Sequence, residues 1–128
     1  MNEAELLLRK GYEAYGRGDV EGVMSVLSDD IVWHSPGRAS VAGDYKGKEE
    51  LVAYFAKKME MTGGTFRERV HEVQGNDRWA VGIVTFLAER PGKTLEAKCI
   101  HIAEAEDGKV TEFSEIFEDL YAWDEFWS

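Results

Sequence analysis

Residues 99–117 read CIHIAEAEDGKVTEFSEIF, two strand patterns joined by an Asp107-Gly108 turn signal. Each pattern carries one member where its alternation calls for a hydrophobe: His101 in the first strand and Glu115 in the second. A two-residue Asp107-Gly108 turn pairs Glu106 with Lys109 and residue 101 with 114, which sets His101 and Glu115 on opposite faces. A three-residue loop, Glu106-Asp107-Gly108, with Gly108 left-handed after a type I turn and a bulge, pairs Ala105 with Lys109 instead. Residue 101 then faces Phe113, and Glu115 lies one diagonal step away on the same side. Face composition favours the three-residue loop. It collects Leu95, Ala97, Cys99, His101, Ala103, Phe113, Glu115 and Phe117 on one side, and the mixed set Lys98, Ile100, Ile102, Glu112, Ser114, Ile116 and Glu118 on the other.

An imidazole and a carboxylate on an otherwise apolar face are desolvated, and each needs a partner. A diagonal pair has Cα atoms roughly 7–8 Å apart, a span that these side chains bridge directly or through water. Burial raises a carboxyl pKa and a neighbouring imidazolium lowers it, so the pair suits proton transfer near neutral pH. The plainer alternative is a satisfied polar pair that fixes strand register.

Outward from this hairpin, strand patterns span roughly 65–74, 78–90, 94–105 and 109–118, separated by Gly75-Asn76-Asp77, Pro91-Gly92 and Asp107-Gly108. Short turns between consecutive strands make an antiparallel meander. Before it, Leu7, Leu8, Tyr12 and Tyr15 recur at helical spacing within residues 3–16. Asp19 caps a short second helix, and Leu51, Phe55 and Met59 align on a third from about Lys48 to Met61. Ile31 to Ser35 reads as a short strand stopped by Pro36-Gly37. The predicted class is α+β, a curved antiparallel sheet with helices on one face, in a single domain over 1–128. The aromatic tail YAWDEFWS is expected to dock rather than fray.

Composition narrows the function. A formal charge of −10 argues against nucleic acid and anionic membrane as partners. No apolar run approaches the ~20 residues of a membrane span, and MNEAELLLRK lacks the order of a signal peptide. One cysteine, Cys99, fits a reducing, cytoplasmic setting. No phosphate-binding glycine loop and no spaced Cys/His motif is present, so neither a cofactor nor a metal is expected. Trp33 and Ser35 alternate onto one face of the first strand. His34 points the other way unless the following loop bends it inward. Tyr12 and Tyr15 lie on the core stripe of helix one.

The stretches GRGDVEGVMSVLSDDIVWHSPG, AGDYKGKEELVAYF, HIAEAEDGKV and DLYAWDEFW, in that order, resemble the SnoaL-like branch of the nuclear transport factor 2-like superfamily. The resemblance covers nearly the whole chain. It implies a cone-shaped, cystatin-like fold with helices wrapping a strongly bent sheet around an apolar pocket, and a homodimer formed through the outer sheet face. Ile100, Ile102 and Ile116 suit that interface. Polyketide cyclases of this branch place a carboxylate acid/base on the last strand and a histidine on the strand before, positions matched by Glu115 and His101. The ketosteroid isomerase relatives use a first-strand Asp where Ser35 stands, a helix-one tyrosine that aligns with about Gly11, and an Asp donor that falls at His101.

The function expected is therefore a cofactor-independent isomerase- or cyclase-like enzyme acting on an apolar, carbonyl-containing substrate. Glu115 is expected as the base, His101 as its partner, and Tyr15, Trp33, His34, Ser35, Phe55, Phe86, Phe113 and Phe117 as the substrate-binding surface. The alternatives are a ligand-binding module without chemistry and a structural dimer whose pocket is vestigial.

Overall fold

The computed structural model describes residues 2–128. Helix α1 (Glu3–Gly16) is followed by α2 (Val20–Ser25), β1 (Leu27–Ser35), β2 (Gly43–Lys46), α3 (Lys48–Met61), β3 (Arg67–Gly75), β4 (Trp79–Arg90), β5 (Lys93–Glu106), β6 (Lys109–Phe117) and α4 (Leu120–Trp127). The Asp19 carboxylate accepts from the Gly22 N–H and so caps α2.

The six strands form one sheet in the order β2-β1-β6-β5-β4-β3. Strands β3 to β6 are the antiparallel meander expected, but β1 runs parallel to β6, with Trp33 opposite Phe113 and His34 opposite Ser114. The sheet is therefore mixed rather than antiparallel. It is open, with edges at β2 and β3, and is not the strongly bent, cone-shaped wrap that the family resemblance implied. The physical reason lies in α3. It carries the chain from the β2 edge across to the β3 edge, and the meander then returns strand by strand until β6 meets β1 in the same direction. The short strand β2, which pairs Tyr45 with Trp33, lies between the Pro36-Gly37 stop and the third helix, where the sequence patterns announce no strand.

The β5–β6 turn is not the three-residue loop that face composition favours. Glu106 pairs with Lys109, so the turn has two residues, and Asp107 and Gly108 both have positive φ, at 49° and 78°. That is the geometry that the Asp-Gly pair favours in a tight hairpin. The register then slips by one residue. Ala105 faces Val110 but Glu104 faces Glu112, leaving Thr111 as the extra residue of a bulge, its hydroxyl donating to the Glu104 carbonyl. The slip brings His101 directly opposite Glu115, not diagonal to it.

The core lies between the inner face of the sheet and the helices, where Leu8, Ile31, Leu51, Val84 and Val110 are buried. The aromatic tail forms α4, which buries Trp123, Phe126 and Trp127 against β5 and its neighbours. Trp123 stacks on Phe117 with centroids 4.1 Å apart. The indole N–H groups of Trp123 and Trp127 have no hydrogen-bond partner among the described residues, so these two rings contribute apolar area, while Asp124 accepts from the Arg38 and Ala39 N–H groups and Arg90 and Lys93 donate to the Phe126 and Glu125 carbonyls at the rim of α4. Among the described residues, no helix is long and apolar enough to cross a membrane.

Candidate functional site

Glu115 is 3% exposed and His101 is 1% exposed, a carboxylate and an imidazole at the centre of the inner face. The parallel β1–β6 pairing sets Trp33 over Phe113 at 3.8 Å, so that the Trp33 indole N–H reaches forward and donates to Glu115 Oε1 at 2.9 Å. From α3, the Tyr54 hydroxyl donates to the same oxygen at 2.8 Å. Glu115 Oε2 meets His101 Nε2 at 3.1 Å. The far side of the imidazole, Nδ1, lies 2.7 Å from the Tyr12 hydroxyl of α1. Tyr12, His101 and Glu115 thus form one continuous hydrogen-bonded chain.

Gly82 makes this chain possible. It faces His101 across β4–β5, and a methyl group there would sit 2.8 Å from the Tyr12 ring carbons. A side chain at this position would push Tyr12 off the imidazole.

The proton positions follow from the acceptors. Burial alone would push the Glu115 carboxyl up, but the hydrogen bond to His101, the nearby Lys58 ammonium and the Trp33 N–H outweigh it and hold the carboxyl at about 2. An anionic carboxylate only accepts, so His101 Nε2 carries a proton, and in the neutral imidazole Nδ1 is left to accept from Tyr12. Burial, reinforced by nearby acidic groups, pushes the Tyr12 and Tyr54 hydroxyls up, keeping both protonated.

The chain forms part of the wall of a cavity of about 50 Å³, room for a few water-sized groups. Leu7, Leu8, Gly11, Tyr12, Tyr15, Trp33, Phe55, Lys58, Glu68, Phe86, His101, Phe113 and Glu115 are among its walls. Tyr15, Phe55 and Glu68 also line a wider vestibule of about 430 Å³, together with Val20, Val52, Met59 and Phe66 among others.

Of the residues expected at the site, His101, Glu115, Tyr15, Trp33, Phe55, Phe86 and Phe113 line this cavity. Ser35 is buried behind Tyr54, its hydroxyl 3.0 Å from the tyrosine oxygen, and Phe117 stands behind the wall against Trp123. Neither is among the cavity-lining residues. His34 is a correction. Strand alternation turns it to the opposite side of β1, where Nδ1 lies 2.7 Å from Asp44 and Nε2 2.6 Å from Glu112.

Hydrogen bonds to Asp44 and Glu112 raise the His34 pKa above its ordinary 6.5 despite some opposing desolvation. The raised value makes this cluster stabilising below about pH 6.5, an effect lost as pH rises through the folded pKa. His34→Gln is therefore expected to cost under about 1 kcal/mol at pH 5.5 and almost nothing at pH 9, as read by urea unfolding. An equal loss at both pH values would contradict this assignment.

Sequence reading missed Tyr54, Lys58 and Glu68 and assigned Tyr12 to the core. Lys58 is 2% exposed, with its ammonium 4.0 Å from the Tyr54 ring centroid and 4.6 Å from that of Phe66. Burial lowers its pKa, opposed by the charges of Glu115 and Glu68. Glu68 on β3 is pushed up by burial to about 7, so it titrates at neutral pH. The fold also brings Cys99, His101 and Glu115 together, with one potential ligand atom of each within 4.8 Å of the others, a grouping that no sequence spacing announces. Burial pushes the Cys99 thiol up, which disfavours the thiolate that a metal would need.

Comparison with known proteins agrees with this architecture. Residues 8–113 match the family model described as a SnoaL-like domain. The structure of Bal32a, from a soil-derived mobile gene cassette, is 40% identical with a TM-score of 0.93, covering 99% of this chain and 100% of that one. A cystatin-like-fold protein from Xanthomonas campestris is 27% identical, with a TM-score of 0.90 over 100% of this chain and 99% of its own. The Mycobacterium tuberculosis protein Rv0034 is 26% identical over 99% of this chain and 98% of its own. With its pocket built on the inner face of the sheet, the chain belongs to the SnoaL-like domain family of the nuclear transport factor 2-like superfamily.

Proposed function

We propose that the protein is a cofactor-independent acid–base enzyme that moves a proton on an apolar, carbonyl-containing ligand, in an isomerase- or cyclase-type step. The observation that carries this reading is the Tyr12–His101–Glu115 chain in the cavity wall, a proton donor backed by an imidazole and by a buried carboxylate. Glu115, expected as the base, has both oxygens engaged and a pKa held at about 2, and so is a weak base. Its role becomes orientation of the imidazole, the logic of a carboxylate behind a catalytic histidine. In the forward step, the Tyr12 oxygen takes the proton from the carbon next to the ligand carbonyl while its own hydroxyl proton passes to His101 Nδ1. This leaves an enolate and an imidazolium paired with Glu115. The reverse transfer delivers the proton to a different atom or quenches a newly closed ring. Two solved structures that share the fold at under 25% identity carry small molecules, TerC with polyporic acid and Rv0760c with estradiol-17β-hemisuccinate, so the fold accommodates such ligands.

The test is hydrogen–deuterium exchange at the C2 position of 1-indanone in D2O, followed by NMR. Saturable exchange above the buffer rate is expected. Saturable binding without exchange would instead make the protein a ligand-binding module. The engagement of both His101 nitrogens and both Glu115 oxygens within the protein is the observation that favours that second reading.

We also propose a homodimer through the outer sheet face. There Trp79, Val81, Ile100 and Ile116 are exposed at 45%, 38%, 40% and 49%, and Ile102 pairs with Val81 across β4–β5. An apolar patch of this kind marks an interaction surface, and a two-fold pairing buries it against itself. Ile102→Asp is expected to shift sedimentation from dimer to monomer. A wild-type chain that stays monomeric at high concentration would overturn the proposal.

A further inference from the structure

Lys58 is the cationic group of the cavity wall, and the proton chain leaves it unused. Its ammonium makes no hydrogen bond and no ion pair among the described residues, although the side chain is 2% exposed and lines the cavity. A buried cation in this state is costly unless something supplies an acceptor. The protein supplies ring faces instead: Tyr54 at 4.0 Å, Phe66 at 4.6 Å, Phe55 at 5.4 Å and Phe86 at 5.7 Å. Such contacts favour the charged form but leave the three N–H donors without oxygen acceptors.

We infer that Lys58 seats an anionic oxygen, and that the ligand is an apolar molecule with one small acidic head, a carboxylate or an equivalent oxyanion. The inference rests on the cavity being the ligand site, as in the reading above, and not on proton transfer. Two further observations fit it. The inner cavity, about 50 Å³, takes a head group and little more, whereas the vestibule, about 430 Å³, offers Val20, Val52 and Met59 to an apolar body. Glu115 and Glu68 attract the ammonium through the interior, but neither forms an ion pair with it. The Glu115 carboxylate is occupied by Trp33, Tyr54 and His101, and Glu68, where protonated, adds a donor rather than a repelling charge. The head enters past Tyr15, Phe55 and Glu68, the three residues common to both spaces.

The experiment compares 2-naphthoate with its neutral counterpart 2-naphthamide by titration calorimetry at pH 7. The carboxylate is expected to bind about 10- to 100-fold more tightly, the worth of a hydrogen bond to a charged group. Lys58→Met is expected to abolish that preference, with Lys58→Gln as the second variant should the first fail to fold. The preference is read without turnover, so a failed proton chain, seen as no exchange on 1-indanone, and a failed anion seat, seen as no preference for the carboxylate, give different results. Equal affinity for the two probes, a preference that survives loss of the ammonium, or no saturable naphthoate binding by folded wild-type protein would each overturn the inference.

Discussion

Glu115→Ala is expected to destabilise the protein by about 3–5 kcal/mol, because it strands buried donors rather than merely removing a contact. The Trp33 indole, the Tyr54 hydroxyl and His101 Nε2 all terminate on this one carboxylate, which is 3% exposed. The cost is also pH-dependent. The Glu115 pKa is held at about 2, below its ordinary 4.5, so the stabilisation from its ionised form is fully present above pH 4.5 and fades as pH falls toward 2. Wild type and variant should therefore converge in acid, as read by urea unfolding at pH 7 and pH 3. Glu115→Gln keeps the shape, and its carbonyl still accepts from Trp33 and Tyr54, so its stability loss should be smaller. Its effect on rate should not be small. An amide N–H facing Nε2 forces the imidazole proton to Nδ1, where it opposes Tyr12, and turnover is expected to fall by about 10²–10⁴ with affinity kept within about tenfold. Unchanged turnover would make Glu115 scaffolding.

Tyr12→Phe is the second large expected effect and separates chemistry from architecture. The ring is kept in the space that Gly82 leaves for it, while the hydroxyl that meets His101 Nδ1 is lost. Turnover on 1-indanone should drop by about 10²–10⁴, while unfolding free energy changes by about 1 kcal/mol, since one hydrogen bond to a cavity-facing nitrogen is lost. A large stability loss with normal exchange would assign Tyr12 to structure alone.

The order of the fold was legible in the sequence because its signals are local. Helical spacing in α1 and α3, turn residues between β3 and β6, and the aromatic tail each declare an element on short-range grounds. The parallel β1–β6 contact was not legible, since it joins segments about 80 residues apart and depends on α3 crossing the sheet. His101 and Glu115 were found as polar residues breaking an apolar alternation. The same signal marks Lys58, because the buried stripe of α3 is Leu51, Tyr54, Phe55 and Lys58, whereas Met59, chosen by strict four-residue spacing, is 41% exposed. The bulge at Thr111 has no local announcement. Face composition nevertheless placed His101 and Glu115 together, because only one register buries the apolar set. His34 was misplaced by allowing a loop to override strand alternation, which holds to the last residue of β1.

The central claim is that Tyr12, His101 and Glu115 act as a single proton-transfer unit. It is tested most directly by a double-mutant cycle on 1-indanone exchange, with Tyr12→Phe, Glu115→Gln and the combined variant measured at one pH. If the chain acts as a unit, the double variant should lose no more rate than the worse single variant. Rate losses that multiply, or single variants that exchange as fast as wild type, would contradict it.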